Sequence, residues 1–224
     1  MRDLGNNNFL KKDTALTIKR YPKLSAHVSL DGTNILEGEI DLTDDNNVGI
    51  ELFKVKLLYT NKFPFAYPKV CETGGRFPKN DERMHINGDG TLCLNTEPLE
   101  AIDTFHGMST INFIEKILLP NLAWRICKLE KMDDGLKDFS HGTRGTLEAY
   151  MELLEITEPG LVLTYLSKYL ENALPKRNDP CLCGIPRKFK RCHESYKSKL
   201  AHIPNNIILK HVTALKTYIS ENKL

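Results

Sequence analysis

Apolar and polar residues alternate with a period of two early in the chain and with a helical period later. Glu39-Ile40-Asp41-Leu42 closes an alternating run that begins at Asn34, and a longer run covers Val48 to Tyr59. Asp44-Asp45-Asn46-Asn47 between them is a turn signal, which predicts antiparallel neighbours. In the second run Ile50 and Leu52 share one face, whereas Val55, Leu57 and Tyr59 continue from Phe53, one residue out of phase. A bulge near Leu52-Phe53 is the expected cause. Strands around Ala26–Leu30, before Asp31-Gly32, and near Lys69–Thr73 would complete a four-stranded meander.

Beyond residue 100 the period becomes helical. Ile111, Ile114, Ile117 and Leu118 fit one face, with Ser109 or Thr110 as cap and Pro120 as the stop. Leu147, Tyr150, Met151 and Leu154 mark a second helix, ended by Glu158-Pro159-Gly160. Val162, Tyr165, Leu166, Tyr169 and Leu170 mark a third. Pro204 opens a last amphipathic helix through Ile208, His211, Val212, Leu215, Tyr218 and Ile219. These stripes read as packing faces. Strands first and helices afterwards predict an α+β fold.

The chain has 224 residues, 41% hydrophobic and 27% charged, with a mean hydropathy of -0.36. That length supports one ordinary core with room for a small appended module, and the composition excludes a disordered chain. Apolar runs such as Ile117-Leu118-Leu119 are too short to span a bilayer, and Met1–Asn8 has no apolar stretch of the signal-peptide kind. No membrane role and a cytoplasmic location are therefore expected. The net charge is +2, but Lys176–Lys199 alone carries eight Lys/Arg against Asp179 and Glu194. The main body has no basic bias toward nucleic acid.

Six cysteines in a chain read as cytosolic point to chemistry or metal rather than disulfides. Cys181-Leu182-Cys183 followed by Cys192-His193 supplies four donors suited to tetrahedral zinc, with no position left open for water, so the expected site is structural. So short a knuckle has no core of its own, and metal affinity, about 10–16 kcal/mol in comparable small fingers, would supply its folding energy. The segment Asn178–His193, with Cys-x-Cys-Gly, a basic-aromatic-basic run and Cys-His, resembles the SEC-C zinc motif. Ile185-Pro186 stands where the motif usually has Ser-Gly, which alters the turn but not the ligands. The resemblance implies Zn2+ on Cys181, Cys183, Cys192 and His193, and a docking knuckle for partner proteins whose basic face suits an acidic surface.

Cys93 lies in Met84-His85-Ile86-Asn87-Gly88-Asp89-Gly90-Thr91-Leu92-Cys93-Leu94-Asn95. A cysteine on a loop after such a turn can expose its sulfur, whereas one inside a strand or helix packs and stays inert, as expected for Cys71 and Cys127. Upstream, Phe63-Pro64-Phe65-Ala66-Tyr67-Pro68 is a Pro-aromatic approach. With the meander before it and helices after it, this order resembles ubiquitin-conjugating enzymes over roughly Ser25–Pro120. Tyr67-Pro68 and Gly90-Thr91-Leu92-Cys93-Leu94 stand where that family's pattern expects them. His85, eight residues before the cysteine, replaces the family's asparagine, as in divergent bacterial members.

The resemblance implies Cys93 as the carrier of a modifier's C-terminus as a thioester, with His85 at the position thought to organise the loop and stabilise the oxyanion. A hydrogen-bond donor at such a point is worth roughly 10²–10³ in rate. Imidazole can donate like an amide, and unlike an amide it can also move a proton or hold a thiolate. It could equally only brace the turn. Glu97, Glu100 and Asp103 are the nearby candidates for activating the acceptor amine, although Thr96–Thr110 departs from the family pattern. His106 and His141 are loop histidines that could border the cleft.

These readings divide the chain into a ubiquitin-conjugating-like domain at 1–174, a SEC-C-like knuckle at 175–195 and a C-terminal helix at 196–224. The implied partners are a ubiquitin-like modifier or another protein with a reactive C-terminus, a separate activating enzyme, a protein acceptor and, by analogy with bacterial anti-phage operons, a cyclic-oligonucleotide synthase. Three other readings compete. One is a catalytically silent module that only binds a partner, although Cys93 is retained. Another is a Cys93–His85 hydrolase, which lacks a third residue to orient the imidazole. The third is nucleic-acid binding by the knuckle, where Phe189 is the only aromatic.

Overall fold

The computed structural model describes residues 3–44, 46, 48–78, 81–132 and 138–223. The chain divides into two compact units: Met1–Leu94 with His106–Leu136, and Asn95–Phe105 with Lys137–Leu224. The divisions expected at 174/175 and 195/196 both fall inside the second unit. Among the described residues no helix is long and apolar enough to cross a membrane.

In the first unit a helix α1 (Asp3–Arg20) precedes a four-stranded antiparallel sheet of β1 (Leu24–Val28), β2 (Asn34–Thr43), β3 (Gly49–Leu58) and β4 (Lys69–Glu72), in that spatial order. The sheet is the expected meander. Its inner face pairs Leu36 with Leu57, Ile40 with Phe53 and Leu57 with Val70. All of these are almost fully buried, and each such side chain contributes roughly 1.5–3 kcal/mol.

β1 starts earlier than expected and stops at Val28, because Ser29–Thr33 folds into a turn. There the Gly32 N–H donates to the Ser29 carbonyl at 3.0 Å, and the Asp31 carboxylate accepts the Thr33 N–H at 3.1 Å. The register step of β3 lies opposite Leu42/Thr43, at Ile50, and Leu52 and Phe53 pair with Asp41 and Ile40 without interruption. Ile50 and Leu52 sit on the outer face, 57% and 45% exposed. Two apolar residues on the solvent face imitate a phase slip in the sequence.

Pro120 does not end its helix. Ser109 caps α3 (Thr110–Phe113) by accepting the Asn112 N–H at 3.2 Å, a π turn covers Ile114–Leu118, and α4 runs from Leu119 to Leu129. In an α-helix a proline lacks the N–H for residue i−4 and its ring crowds that carbonyl. Here the Leu119 N–H reaches back to the Ile114 carbonyl, and this wider turn absorbs the ring. The Asn121 side-chain amide donates to the Ile117 carbonyl at 3.0 Å. The apolar face therefore continues through Leu122 and Ile126 into the sheet core.

α1 has no counterpart among the sequence-based expectations. Among the residues of α1 whose burial is described, Leu10, Asp13 and Thr17 are the buried ones; two of these three are polar, and no apolar stripe announces the helix. The Asp13 carboxylate accepts the Thr110 N–H at 3.0 and 3.3 Å, which satisfies an unpaired donor at the start of α3.

The second unit holds α2 (Glu97–Asp103), α5 (Gly142–Leu154), α6 (Pro159–Leu170), α7 (Tyr196–Leu200) and α8 (Asn205–Asn222). The predicted stripes meet in one core: Leu147, Tyr150 and Leu154 with Val162, Tyr165 and Leu166, and with Ile208, Val212 and Leu215. Cys181 and Phe189 of the knuckle segment belong to the same core.

Candidate functional site

The first candidate centre is the Cys93 loop. Residues 85–93 form a tight hairpin. Ile86 bridges Leu92, the Asn87 N–H donates to the Thr91 carbonyl at 2.8 Å, and the Gly90 N–H donates to the Asn87 carbonyl at 2.9 Å. Gly90 has φ +81°, a conformation in which glycine carries no steric penalty. Asp89 locks the turn by accepting the Thr91 N–H at 3.0 Å and the Thr91 hydroxyl at 2.6 Å. These bonds, with Lys69 nearby, hold its carboxyl below the usual range.

The eight-residue spacing thus brings His85 and Cys93 opposite each other, and the Cys93 N–H donates to the His85 carbonyl at 2.7 Å. His85 has φ +52°, a left-handed conformation uncommon outside glycine. Its half-buried ring meets Trp124 edge-on, centroids 5.6 Å apart. Cys93 is half-buried.

Arg125, on α4, is a site residue that the sequence reading misses. Its side chain is completely buried and donates to five carbonyl oxygens: Met84 at 3.0 Å, His85 at 3.2 Å, Cys93 at 2.9 Å, the Asn121 main chain at 3.0 Å and the Asn121 side chain at 3.1 Å. One rigid guanidinium fork therefore ties both ends of the hairpin to one helix. A sequence signal exists. Arg125 lies between Leu122 and Ile126, at helical spacing on the buried face, but taking Pro120 as a stop hides the continuation.

Cys71 and Cys127 are half-buried on β4 and α4. Burial first, and the Asp89 charge second, push the Cys71 thiol up, as expected of a packed, unreactive cysteine.

Leu94 ends the first stretch of unit one, and Asn95–Phe105 belongs to unit two. There Glu97 accepts from Lys210 at 2.6 Å and lies 2.9 Å from His211 Nε2. His211 Nδ1 in turn lies 3.0 Å from the Tyr150 hydroxyl. Asp103 accepts from the Asn95 side-chain amide at 3.3 Å. Glu97 thus serves a chain of polar groups joining α2, α5 and α8. His141 stands at the residue before α5, without a side-chain capping bond, and is exposed, and His106 is exposed where the chain re-enters unit one.

Burial lowers the pKa of His211 below its ordinary 6.5, and the Glu97 contact only partly restores it. Burial raises that of Glu97, but the bonds from Lys210 and His211 outweigh it, leaving it below 4.5. In both cases the unfolded chain binds more protons than the folded one on acidification. Stability present at neutrality is therefore lost, first as pH falls below about 6.5 and then below about 4.5. Thermal melts followed by circular dichroism at pH 7.5 and 5.5 should show a larger drop for the wild type than for His211→Gln. Equal drops would remove His211 from this role.

The second candidate centre is the knuckle. Pro180 bridges Lys188, the Cys181 N–H donates to the Arg187 carbonyl at 3.1 Å, and the Gly184 N–H donates to the Cys181 carbonyl at 3.3 Å. Gly184, at φ +75°, makes the turn that Ile185-Pro186 follows. A 3-10 turn at Phe189–Arg191 then delivers Cys192 and His193. The donor atoms of Cys181, Cys183, Cys192 and His193 all lie within 4.8 Å of one another. His193 Nδ1 is 3.2 Å from Cys181 Sγ and 3.1 Å from Cys192 Sγ, and Cys183 Sγ is 3.5 Å from Cys192 Sγ. Thiolates at zinc's usual bond length sit about 3.8 Å apart in a tetrahedron. The donor set therefore fits a metal ion with little rearrangement. Burial and the neighbouring thiols push the Cys192 thiol up to about 12. For Cys183 burial is outweighed by bonds from the Ile185 N–H and the other thiols, and its thiol titrates lower than usual. The Tyr165 hydroxyl donates to the His193 carbonyl at 2.6 Å, an outer-shell brace from the helical core.

Residues 177–195 match the SEC-C motif. The match covers the knuckle and its immediate flanks. No curated protein and no solved structure matches the chain.

Proposed function

We propose that the chain is a ubiquitin-conjugating-like transferase. Cys93 thiolate attacks the activated carbonyl at a modifier's C-terminus, forming a thioester and releasing the activating group. An acceptor amine then attacks the thioester carbonyl. The tetrahedral oxyanion collapses, the Cys93 thiolate leaves, an amide forms and one proton departs. The observation that carries this reading is the 2.7 Å bond from the Cys93 N–H to the His85 carbonyl, in a hairpin that follows a four-stranded meander and precedes a long helix. Activation of the modifier falls to a separate enzyme, and the acceptor is a protein amine.

The left-handed backbone of His85 and its contact with Trp124 favour a bracing role over proton transfer. With modifier and activating enzyme supplied, intact mass spectrometry should show a thiol-sensitive adduct on the wild type and none on Cys93→Ala. His85→Asn should keep most of the adduct formation, whereas His85→Ala should slow transfer by roughly 10²-fold if the side chain donates to the oxyanion and by much less if it braces. A wild type that never forms an adduct would remove the transferase reading.

A second reading rests on the SEC-C match: the knuckle is a protein-docking element, and the chain acts by binding whether or not Cys93 is loaded. Phe189, its only aromatic, is 2% exposed and so is not displayed for stacking on nucleic-acid bases. A donor set of three sulfurs and one nitrogen favours zinc over harder ions.

A further inference from the structure

We propose that a cavity beside the metal knuckle binds an organic carboxylate, a single anionic group on an aromatic or branched aliphatic body. The cavity has a volume of about 340 Å³ and lies wholly within the second unit. This places it at the small end of the range for small-molecule sites, roughly 300–1,000 Å³. Tyr169, Leu174, Pro175 and Phe189 make part of its lining apolar. Such a lining rewards a hydrophobic body and does nothing for a bare inorganic ion.

The charged rim selects the other end of the ligand. Arg177 pairs with Glu194 at 2.8 Å, so that fork is already engaged and contributes no net charge. Lys176 and Lys197 also line the cavity, and neither ammonium has an ion-pair partner among the described residues. Two point charges in a partly apolar lining suit an anion without demanding the bidentate geometry that Arg gives to phosphate. The Arg177–Glu194 pair is neutral as a whole, so the two ammonium groups are the net charge of the lining. A monoanionic carboxylate with an apolar body satisfies both parts of the lining. It could be a free small molecule or the C-terminus of a polypeptide, which present the same chemistry.

The test titrates the metal-loaded, isotope-labelled full chain with four probes and follows amide shifts around Tyr169, Leu174 and Phe189. The probes are N-acetyl-phenylalanine, its methyl ester, inorganic phosphate, and a tetrapeptide ending in phenylalanine with a free carboxylate. N-acetyl-phenylalanine should saturate, and the ester, which lacks the charge, should bind at least about tenfold more weakly. Phosphate should not saturate in the same range. The double variant Lys176→Ala/Lys197→Ala should weaken binding by about fivefold while keeping one metal ion per chain. If the tetrapeptide binds as well as the free amino-acid derivative, the natural ligand is a polypeptide C-terminus; if only the derivative binds, it is a small molecule. Binding of the ester or of phosphate equal to that of the carboxylate would overturn the proposal. So would saturation by neither carboxylate, or affinity unchanged in the double variant.

Discussion

Arg125→Met is expected to cost the first unit roughly 3–5 kcal/mol, a large share of the 5–15 kcal/mol that holds an ordinary domain together. Methionine matches much of the volume, so packing is not what is lost. The loss comes from five carbonyl oxygens that now accept from one buried guanidinium. The His85 carbonyl keeps the Cys93 N–H; any other buried carbonyl left without a partner costs about 1–3 kcal/mol, partly offset because burying the cation was itself expensive. Arg125→Lys should fall between, since an ammonium keeps the charge but its three donors cannot span Met84, His85, Cys93 and Asn121 at once. The chain has a single tryptophan, and Trp124 neighbours Arg125, so urea titration followed by its fluorescence reports on this unit. An unfolding free energy for Arg125→Met within about 1 kcal/mol of the wild type would mean that the loop is held by the hairpin bonds alone. Under native conditions the lysine variant should also let a small alkylating reagent reach Cys93 faster, because the strand that carries it has lost an anchor.

The contrast between Arg125 and Cys93 shows what the sequence could reveal. The meander was legible because its inner positions are Leu, Ile, Val and Phe at a strict period of two, and the helices of the second unit because their stripes are apolar. The four metal donors were legible because cysteine and histidine at knuckle spacing have few other uses. The pairing of His85 with Cys93 followed from a Gly-containing turn of the right length. Where the buried residue is polar, periodicity fails: Asp13 and Thr17 hide α1, and Arg125 hides the anchor of the loop. Pro120 misled because its helix widens to a π turn that a local rule does not anticipate. Nor did spacing separate Glu97 from the cysteine loop, since it lies only four residues beyond Cys93 and yet its partners are on α8.

Removing the metal is expected to unfold the knuckle and to loosen the core of the second unit without abolishing its helices. Metal analysis of the purified chain should find about one ion per molecule, lost in Cys181→Ser/Cys183→Ser, and zinc is the ion the donor set favours. In isolated fingers the metal supplies about 10–16 kcal/mol and the apo form has no structure. Here the effect should be smaller. Phe189 and Cys181 are buried as part of the helical core that holds Tyr165, Leu166 and Leu200, and that burial remains when the ion leaves. Against it stands the crowding of four donors within 4.8 Å, which only a cation makes favourable once the thiols ionise. Hydrogen exchange should therefore show protection lost first at residues 177–195, then reduced in α6, where Tyr165 packs near Phe189 and donates to the His193 carbonyl. It should be least changed at the Tyr150–His211 contact between α5 and α8. A protein purified without metal that keeps its melting temperature and full protection at 177–195 would show that the helical core alone folds this segment. The motif would then be a scaffold whose ligands serve no structural end.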